Sequence, residues 1–406
     1  MSELTQAPRS VRRLLDRGVI LHSPLSVEID DSVSPERISP GVVIHAGCKI
    51  SGAETSIGPG SKIGQEAPAT IENCQLGHGV ELKGGFFSNA TFLDKSYMGS
   101  GAHVRAGTLL EEESGAAHTV GFKQTIFFPF VTAGSLINFC DALMAGGTGR
   151  KDHGEIGSSY IHFNFTPHQD KATASLIGDV PLGVFLNQPP VFLGGQGGLV
   201  GPARIAYGVV LPAGVICRQD VLEEGALFVP RNITGGSRKF VIGAYRDIGK
   251  IVEKNLLYIG NLWALSAWYS DVRVRAMSGD PFREACRIGA LERIKSGLDE
   301  RIRRLKELAD KMTFSLQCGR STLPRELQTQ QQMFKERWPE METLLRKGPD
   351  ATVGAVFREM FLDEWEQTPP THAYIEAIKS LSPDACATGA TWLQAIVAFV
   401  TTFCRL

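Results

Sequence analysis

An excess of charge of either sign is missing from this chain: 42 basic residues face 43 acidic ones, a net charge of −1. That balance argues against a general nucleic-acid binder, which carries a basic surplus. Paired cysteines are missing as well. Eight are scattered through 406 residues, with no Cys-x-x-Cys pair and no Cys/His cluster at zinc-ligand spacing. No metal site is expected, and the thiols read as reduced and buried, in a cytoplasmic protein. The opening stretch MSELTQAPRSVRRLLDRG has no apolar segment of the signal-peptide kind, so no signal peptide is expected. Apolar runs are broken by Gly, Pro or charge before the roughly 18 residues a spanning helix needs. The nearest candidate, residues 387–406, contains Gln394 and several threonines and reads as a packed helix.

Glycine is abundant, at 44 residues, and its placement carries the fold. From residue 38 an aliphatic residue followed by Gly or a small polar residue recurs near every sixth position: Ile38, Ile44, Ile50, then Ile57, Ile63, Leu76, Leu82, Phe92, Met98 and Val104. Ile57-Gly-Pro-Gly-Ser-Lys-Ile63-Gly and Leu76-Gly-His-Gly-Val-Glu-Leu82 are the cleanest copies. A six-residue aliphatic-Gly repeat predicts a parallel β-helix, with one short strand and one turn per unit and the aliphatic side chain pointing inward. A β-sandwich needs alternating strands at longer spacing, which this stretch does not show. The rhythm is obscured over 124–155 and resumes at Ile177. Segments 147–155 and 164–175, rich in Gly, Lys, Asp, His and Thr, read as loops leaving the coil.

After residue 234 glycine thins out and helical periodicity takes over. Helices are expected at 248–270, 282–312, 324–346, 353–366, 374–381 and 389–403, after a short amphipathic N-terminal one over 8–22 with Val11, Leu14, Leu15 and Val19 on one side. Arg301, Arg303, Arg304, Lys306 and Glu307 read as a solvated helix face. The expected division is an N-terminal helix and lead-in over 1–36, a β-helix over 37–234 and an α-helical domain over 235–406.

Met98-Gly-Ser-Gly-Ala-His-Val-Arg105 through Val120-Gly-Phe-Lys123, and Phe192-Leu-Gly-Gly195 through Leu199-Val-Gly-Pro to Ala213, carry a family resemblance. Over residues 98–231 the chain resembles the acetyltransferase domain of the bifunctional enzyme that makes UDP-N-acetylglucosamine. The resemblance implies a left-handed parallel β-helix, N-acetylation of an amino sugar phosphate or nucleotide-linked amino sugar by acetyl-CoA or another acyl-CoA, and a homotrimer. The whole chain is similar to bacterial proteins called UDP-N-acetylglucosamine pyrophosphorylase-like. The Gly-rich nucleotide loop of the uridyltransferase half is absent from the sequence, so no pyrophosphorylase activity is expected.

Carried over by the same resemblance, Arg105 and Lys123 hold the phosphate and uridine end. Two permanent cations on one edge of a coil make a phosphate clamp. Asn164 keeps the sugar-binding Asn, Phe165 stands for a Tyr, Glu155 for another polar contact, and Lys171 for a loop Lys. Gly195, Ala213 and Arg231 fall on coenzyme contacts, although small residues also suit β-helix corners. In Gly134-Ser135-Leu-Ile-Asn138-Phe139-Cys-Asp141 the family's catalytic His falls on Asn138 or Phe139, neither of which accepts a proton. His153, His162, His168 and Asp141 are the available substitutes, with His162 ranked first and His168 second, while His118 reads as a coil-edge residue. His162, two residues from Asn164, is expected on the same side of a strand. Asp170 is expected to orient His168. The competing expectation is a sugar-nucleotide-binding or scaffold protein that has lost the base.

Overall fold

The six-residue rhythm closes into the coils of a left-handed parallel β-helix with three faces, followed by helices. The computed structural model describes residues 7–230, 235–237, 239–368 and 373–404. The first face is a ladder of ten two-residue strands from Ile20–Leu21 to Val210–Leu211. In each, the second residue points into the coil; Ile44, Ile63, Leu82, Met98, Ile156, Leu193 and Leu211 stack there without contact with solvent. The second face runs from Glu28–Ile29 to Ile216–Cys217, and the third from Ser56–Ile57 to Arg204–Ile205. The solenoid therefore begins at residue 20, ahead of the expected residue 37. The earliest strands lack the Ile-Gly signature, so the repeat was not readable there.

Two strands, Val120–Phe127 and Ile137–Met144, run through the corner between second and third faces without a break. They pair with each other from Val120↔Ile137 to Phe127↔Met144. Gln124 and Asp141 bend them, at φ 53° and 59°, in the left-handed region that non-glycine residues seldom adopt. These are the rungs where the repeat looked obscured: large apolar residues fill the coil where the Ile-Gly pattern would have marked it. Residues 147–153 leave the coil as an antiparallel hairpin, Gly147–Gly149 with Asp152–His153, and 164–174 leave it between Ile161–Phe163 and Ser175–Ile177.

Helix α1 spans Arg9–Asp16 and buries Val11 and Leu14 against the first coils; it stops short of the expected residue 22 because Ile20–Leu21 already pairs into the first face. A short α2, Val180–Gly183, starts where the Asp179 carboxylate accepts from the Leu182 N–H. The C-terminal helices are α3 Gly249–Asp271, α4 Arg273–Met277, α5 Pro281–Gly319, α6 Arg325–Lys347, α7 Ala355–Gln367, α8 Tyr374–Lys379 and α9 Pro383–Phe403. Pro281 follows an Asp280 cap that accepts from the Phe282 and Arg283 N–H groups, which sets the start of the long α5. Helix α5 lies on the third face against Ser56–Ile57, Gln75–Leu76, Ala90–Phe92 and Thr108–Leu110. Gly289 permits the approach: a Cβ there would sit 2.2 Å from Gln75 Oε1. Helix α9 is long and apolar enough to cross a membrane, and it packs on α3 and α7.

Candidate functional site

The corner between the second and third faces gathers Arg105, Lys123, Asn138, Asp141 and Asn164 of the residues singled out above. Val104 pairs with Phe122, and Lys123 with Cys140, so Arg105, Lys123 and Cys140 stand in one column on three successive rungs. Rungs are about 4.8 Å apart, which places the two cations side by side along the coil. Arg105 is exposed and Lys123 half-buried. Arg105 Nη2 donates to Cys140 Sγ at 3.8 Å, and the Cys140 thiol donates to Asn138 Oδ1 at 3.2 Å. Burial, with the Asp141 carboxylate next to it, pushes the Cys140 thiol up, so it stays a neutral packing group.

Asn138 and Phe139 alternate across the strand. Phe139 faces the core, in contact with Phe127 and Tyr160, and Asn138 faces out beside Ile161. Of the two residues that could stand at the catalytic His position, Asn138 is the one on the same outer surface as the clamp.

Around the corner sits a buried polar cluster. Asp141 Oδ2 accepts from Asn164 Nδ2 at 2.5 Å, and Asp141 Oδ1 meets Arg301 Nη2 at 2.5 Å. The other nitrogen of the fork, Arg301 Nη1, donates to the Lys171 carbonyl at 3.1 Å. Arg301 is 1% exposed, so it does not belong to the solvated helix face expected for it. The sequence carried a signal for this. Arg301 falls in the apolar stripe with Ile294, Leu298, Leu305 and Leu308, whereas Arg303 is exposed. Asp141, tied to Arg301 and Asn164, is not a free base. Next to Lys123, Gln124 donates to Ser296 Oγ at 3.2 Å and lines an open groove with α5.

His162 does not share a side with Asn164. Asn164 lies beyond the end of the strand, so alternation does not reach it. His162 points into the coil, 2% exposed, with Nδ1 2.5 Å from the Cys140 carbonyl and Nε2 2.7 Å from Ser175 Oγ. Desolvation pulls its pKa down to about 4. Both nitrogens are occupied and the ring packs tilted against Phe139, with centroids 5.7 Å apart, so it serves the core. His168 is held in the 164–174 loop between Phe240 and Tyr245, where Nδ1 accepts from the Gly243 N–H. Asp170 does not orient it: its carboxylate takes the Thr166 and Tyr245 hydroxyls instead.

Phe165 is exposed on the same loop. Glu155 lies on the first face beside His153, away from the clamp. His118 is exposed, 3.3 Å from the Thr119 hydroxyl. Gly195 and Ala213 follow first-face strands and stack at the corner between first and second faces; a Cβ on Gly195 would lie 2.9 Å from the Ser158 carbonyl. They occupy the edge of the second face opposite Arg105 and Lys123, three to five rungs away, roughly 14–24 Å along the axis. One chain does not bring the two groups together. Arg231 lies outside the described residues.

Of the cysteines, Cys318 is exposed and Cys386 half-buried, while the other six are buried as expected. Among the described residues no group of three or more His, Cys, Asp or Glu could hold a metal ion.

No family model matches the chain. The bifunctional protein GlmU of Pelobacter propionicus is 31% identical over 236 residues, which is 57% of this chain and 46% of that protein. GlmU of Thermotoga petrophila is 27% identical over 214 residues (52% and 42%), and GlmU of Nitratidesulfovibrio vulgaris 26% over 231 residues (57% and 45%). The β-helical half of this chain resembles the acetyltransferase region of GlmU. The chain spans less than half the length of these curated relatives. With respect to a GlmU-like β-helix, the outward Asn138, the inward His162 and the arginine arriving from α5 are the three features of this corner that bear on its chemistry.

Proposed function

We propose that this chain binds a phosphorylated or nucleotide-linked amino sugar at the Arg105–Lys123 edge and acts as an acyl-CoA-dependent N-acyltransferase, in a homotrimer. The observation that carries the reading is the column itself: two cations on adjacent rungs, on an open outer surface, within a chain similar to GlmU. Paired cations match a phosphate better than any neutral ligand, and Arg presents a planar fork to it. Acyl-CoA would lie along the small-residue corner of Gly195 and Ala213, and a trimer would set that corner against a neighbour's clamp. In the reaction the sugar amine attacks the thioester carbonyl, the C–N bond forms, the C–S bond breaks and the thiolate leaves. The proton of the ammonium passes to solvent, since Asn138 accepts none. Proximity then carries most of the acceleration, and the rate lies below that of a histidine-assisted enzyme by roughly 10²–10⁴-fold.

A thiol-release assay with acetyl-CoA and a panel headed by glucosamine-1-phosphate tests this. Release is expected, and Arg105→Ala with Lys123→Ala should weaken sugar-phosphate binding by at least about tenfold, since each removes a charge-assisted contact. Silence across the panel sinks the enzymatic reading. One observation favours a second reading, a binding protein without turnover: His162 and Asp141 are both committed to buried partners. Calorimetric binding of UDP-N-acetylglucosamine, with neither coenzyme A binding nor thiol release, selects it.

A further inference from the structure

We infer that Arg301, on the helical domain, is a positioning residue for the sugar-binding corner of the β-helix. The inference rests on the proposed reading of that corner as a sugar-phosphate site.

Asp141 offers two carboxylate oxygens, and each is used once: Oδ1 by Arg301 and Oδ2 by the Asn164 amide. The Arg301 guanidinium spans from that carboxylate to the Lys171 carbonyl. One side chain from α5 therefore holds the Lys171 end of the segment 164–171 directly and its Asn164 end through Asp141. The geometry is specific to a fork. Lysine offers its donors from a single nitrogen and cannot meet Asp141 and Lys171 from two separate ones. Burial makes the arrangement stiff, because an unpaired carboxylate at this position would have no water to turn to. Asp141 itself sits at the φ 59° bend that ends the second-face half of its strand, so its side chain has little freedom to follow a displaced partner. The other polar groups around Arg301 do not replace it: Glu300 Oε1 is 3.8 Å from the same nitrogen and also meets Arg304 at 2.8 Å. Here the helical domain reaches into the site through one residue, 160 positions from the carboxylate it holds.

The test is a four-member cycle on the full chain: wild type, Arg301→Lys, Asn164→Ala and the double variant. Calorimetry with UDP-N-acetylglucosamine and glucosamine-1-phosphate gives the affinities. Arg301→Met is the more severe change and removes the buried charge pair, so Arg301→Lys, which keeps a cation beside Asp141, is the variant measured, with a cooperative thermal melt as its folding control. Arg301→Lys is expected to weaken binding by roughly tenfold, the loss of one or two charge-assisted hydrogen bonds. In the Asn164→Ala background the same change should cost less, because one of the two arms through which Arg301 acts, the one running through Asp141, is gone and only the Lys171 carbonyl contact is left. Wild-type affinity in Arg301→Lys, or penalties that simply add, overturns the inference while leaving the site reading in place. A wild-type protein that binds neither ligand sinks the site reading and this inference together.

Discussion

At Asn138 an amide stands on the outer surface, at one of the two positions to which the family resemblance assigns a catalytic histidine. An amide can hold a carbonyl or an amine by hydrogen bonds, but it cannot take a proton at neutral pH. Asn138→His puts an imidazole on that surface, in the column of Gly121 and Ile161. If acyl transfer is the activity, this variant should raise the rate of thiol release by roughly 10²-fold, with a new limb in the pH profile near neutrality. An unchanged rate in a folded Asn138→His protein places the chemistry elsewhere. His162 behaves in the opposite way. Its pKa is depressed to about 4 in the fold against an ordinary value of 6.5. The unfolded chain takes up the proton first as pH falls, so the stability contributed by neutral His162 is present above 6.5 and drains away as pH falls from 6.5 through 4. The difference in unfolding free energy between wild type and His162→Gln should shrink by up to about 3 kcal/mol over that window, read from urea titrations at several pH values. A flat difference would mean that His162 is not sealed in the core.

Between elements, the junction of β-helix and helical domain is built on arginines of the helical domain meeting acids of the coils. Arg273 at the head of α4 is fully buried. It forms an ion pair with Glu112, and its Nη2 lies 3.0 Å from Glu111 Oε2. The Tyr374 ring lies 3.5 Å from its guanidinium carbon, and Tyr269 donates to Glu111 Oε1 at 2.7 Å. Burial, helped by Glu112, pushes the Glu111 carboxyl up to about 7 against the pull of Arg273. Its sign is opposite to that of His162: stability from a raised carboxyl is present below 4.5 and is lost as pH rises from 4.5 through 7. Arg283 and Asp94 form a second pair at 2.9 Å, with both side chains partly exposed. Arg273→Met leaves two carboxyls facing each other in a buried place and should cost about 3–5 kcal/mol of unfolding free energy. Arg283→Met should cost about 1 kcal/mol, since water reaches both partners. Equal losses in denaturant titrations would show that burial does not govern these pairs.

At the scale of the molecule, the helical domain packs along the third face, and among the described residues apolar side chains stay exposed on the outer surfaces of the first and second faces. On those surfaces Phe192, Val210 and Leu227 continue one apolar column, and Ile161, Phe163 and Ile216 form another patch. Patches of this kind on a folded chain mark association surfaces. Sedimentation should find a species of three times 44.1 kDa, and a Phe192→Glu/Val210→Glu double variant should shift it toward the single chain. A wild-type monomer would remove the trimer from the proposal and leave the clamp and the coenzyme corner on separate edges of one molecule.

The β-helix was legible because each repeat must bury one aliphatic side chain and turn one corner, and both demands are local: Ile57, Ile63, Leu76 and Leu82 all face the core as their spacing requires. The longer C-terminal helices were legible for the same reason, to within a few residues at most ends, although α5 runs on to Gly319, α9 starts at Pro383, and the short α2 and α4 had no readable period. The column of Arg105 and Lys123 follows from the coil period once the register is known. What remained hidden was every contact that joins distant parts of the chain. His162 and Asn164 looked alike from strand alternation, but the strand ends between them and one turns inward. Arg301 looked like a surface charge, and only the docking of α5 on the third face brought it to Asp141. Local spacing determined the coils by itself, because a repeat needs only its neighbours. The chemistry at their corner was decided by packing between segments some 160 residues apart, and no local pattern encodes that.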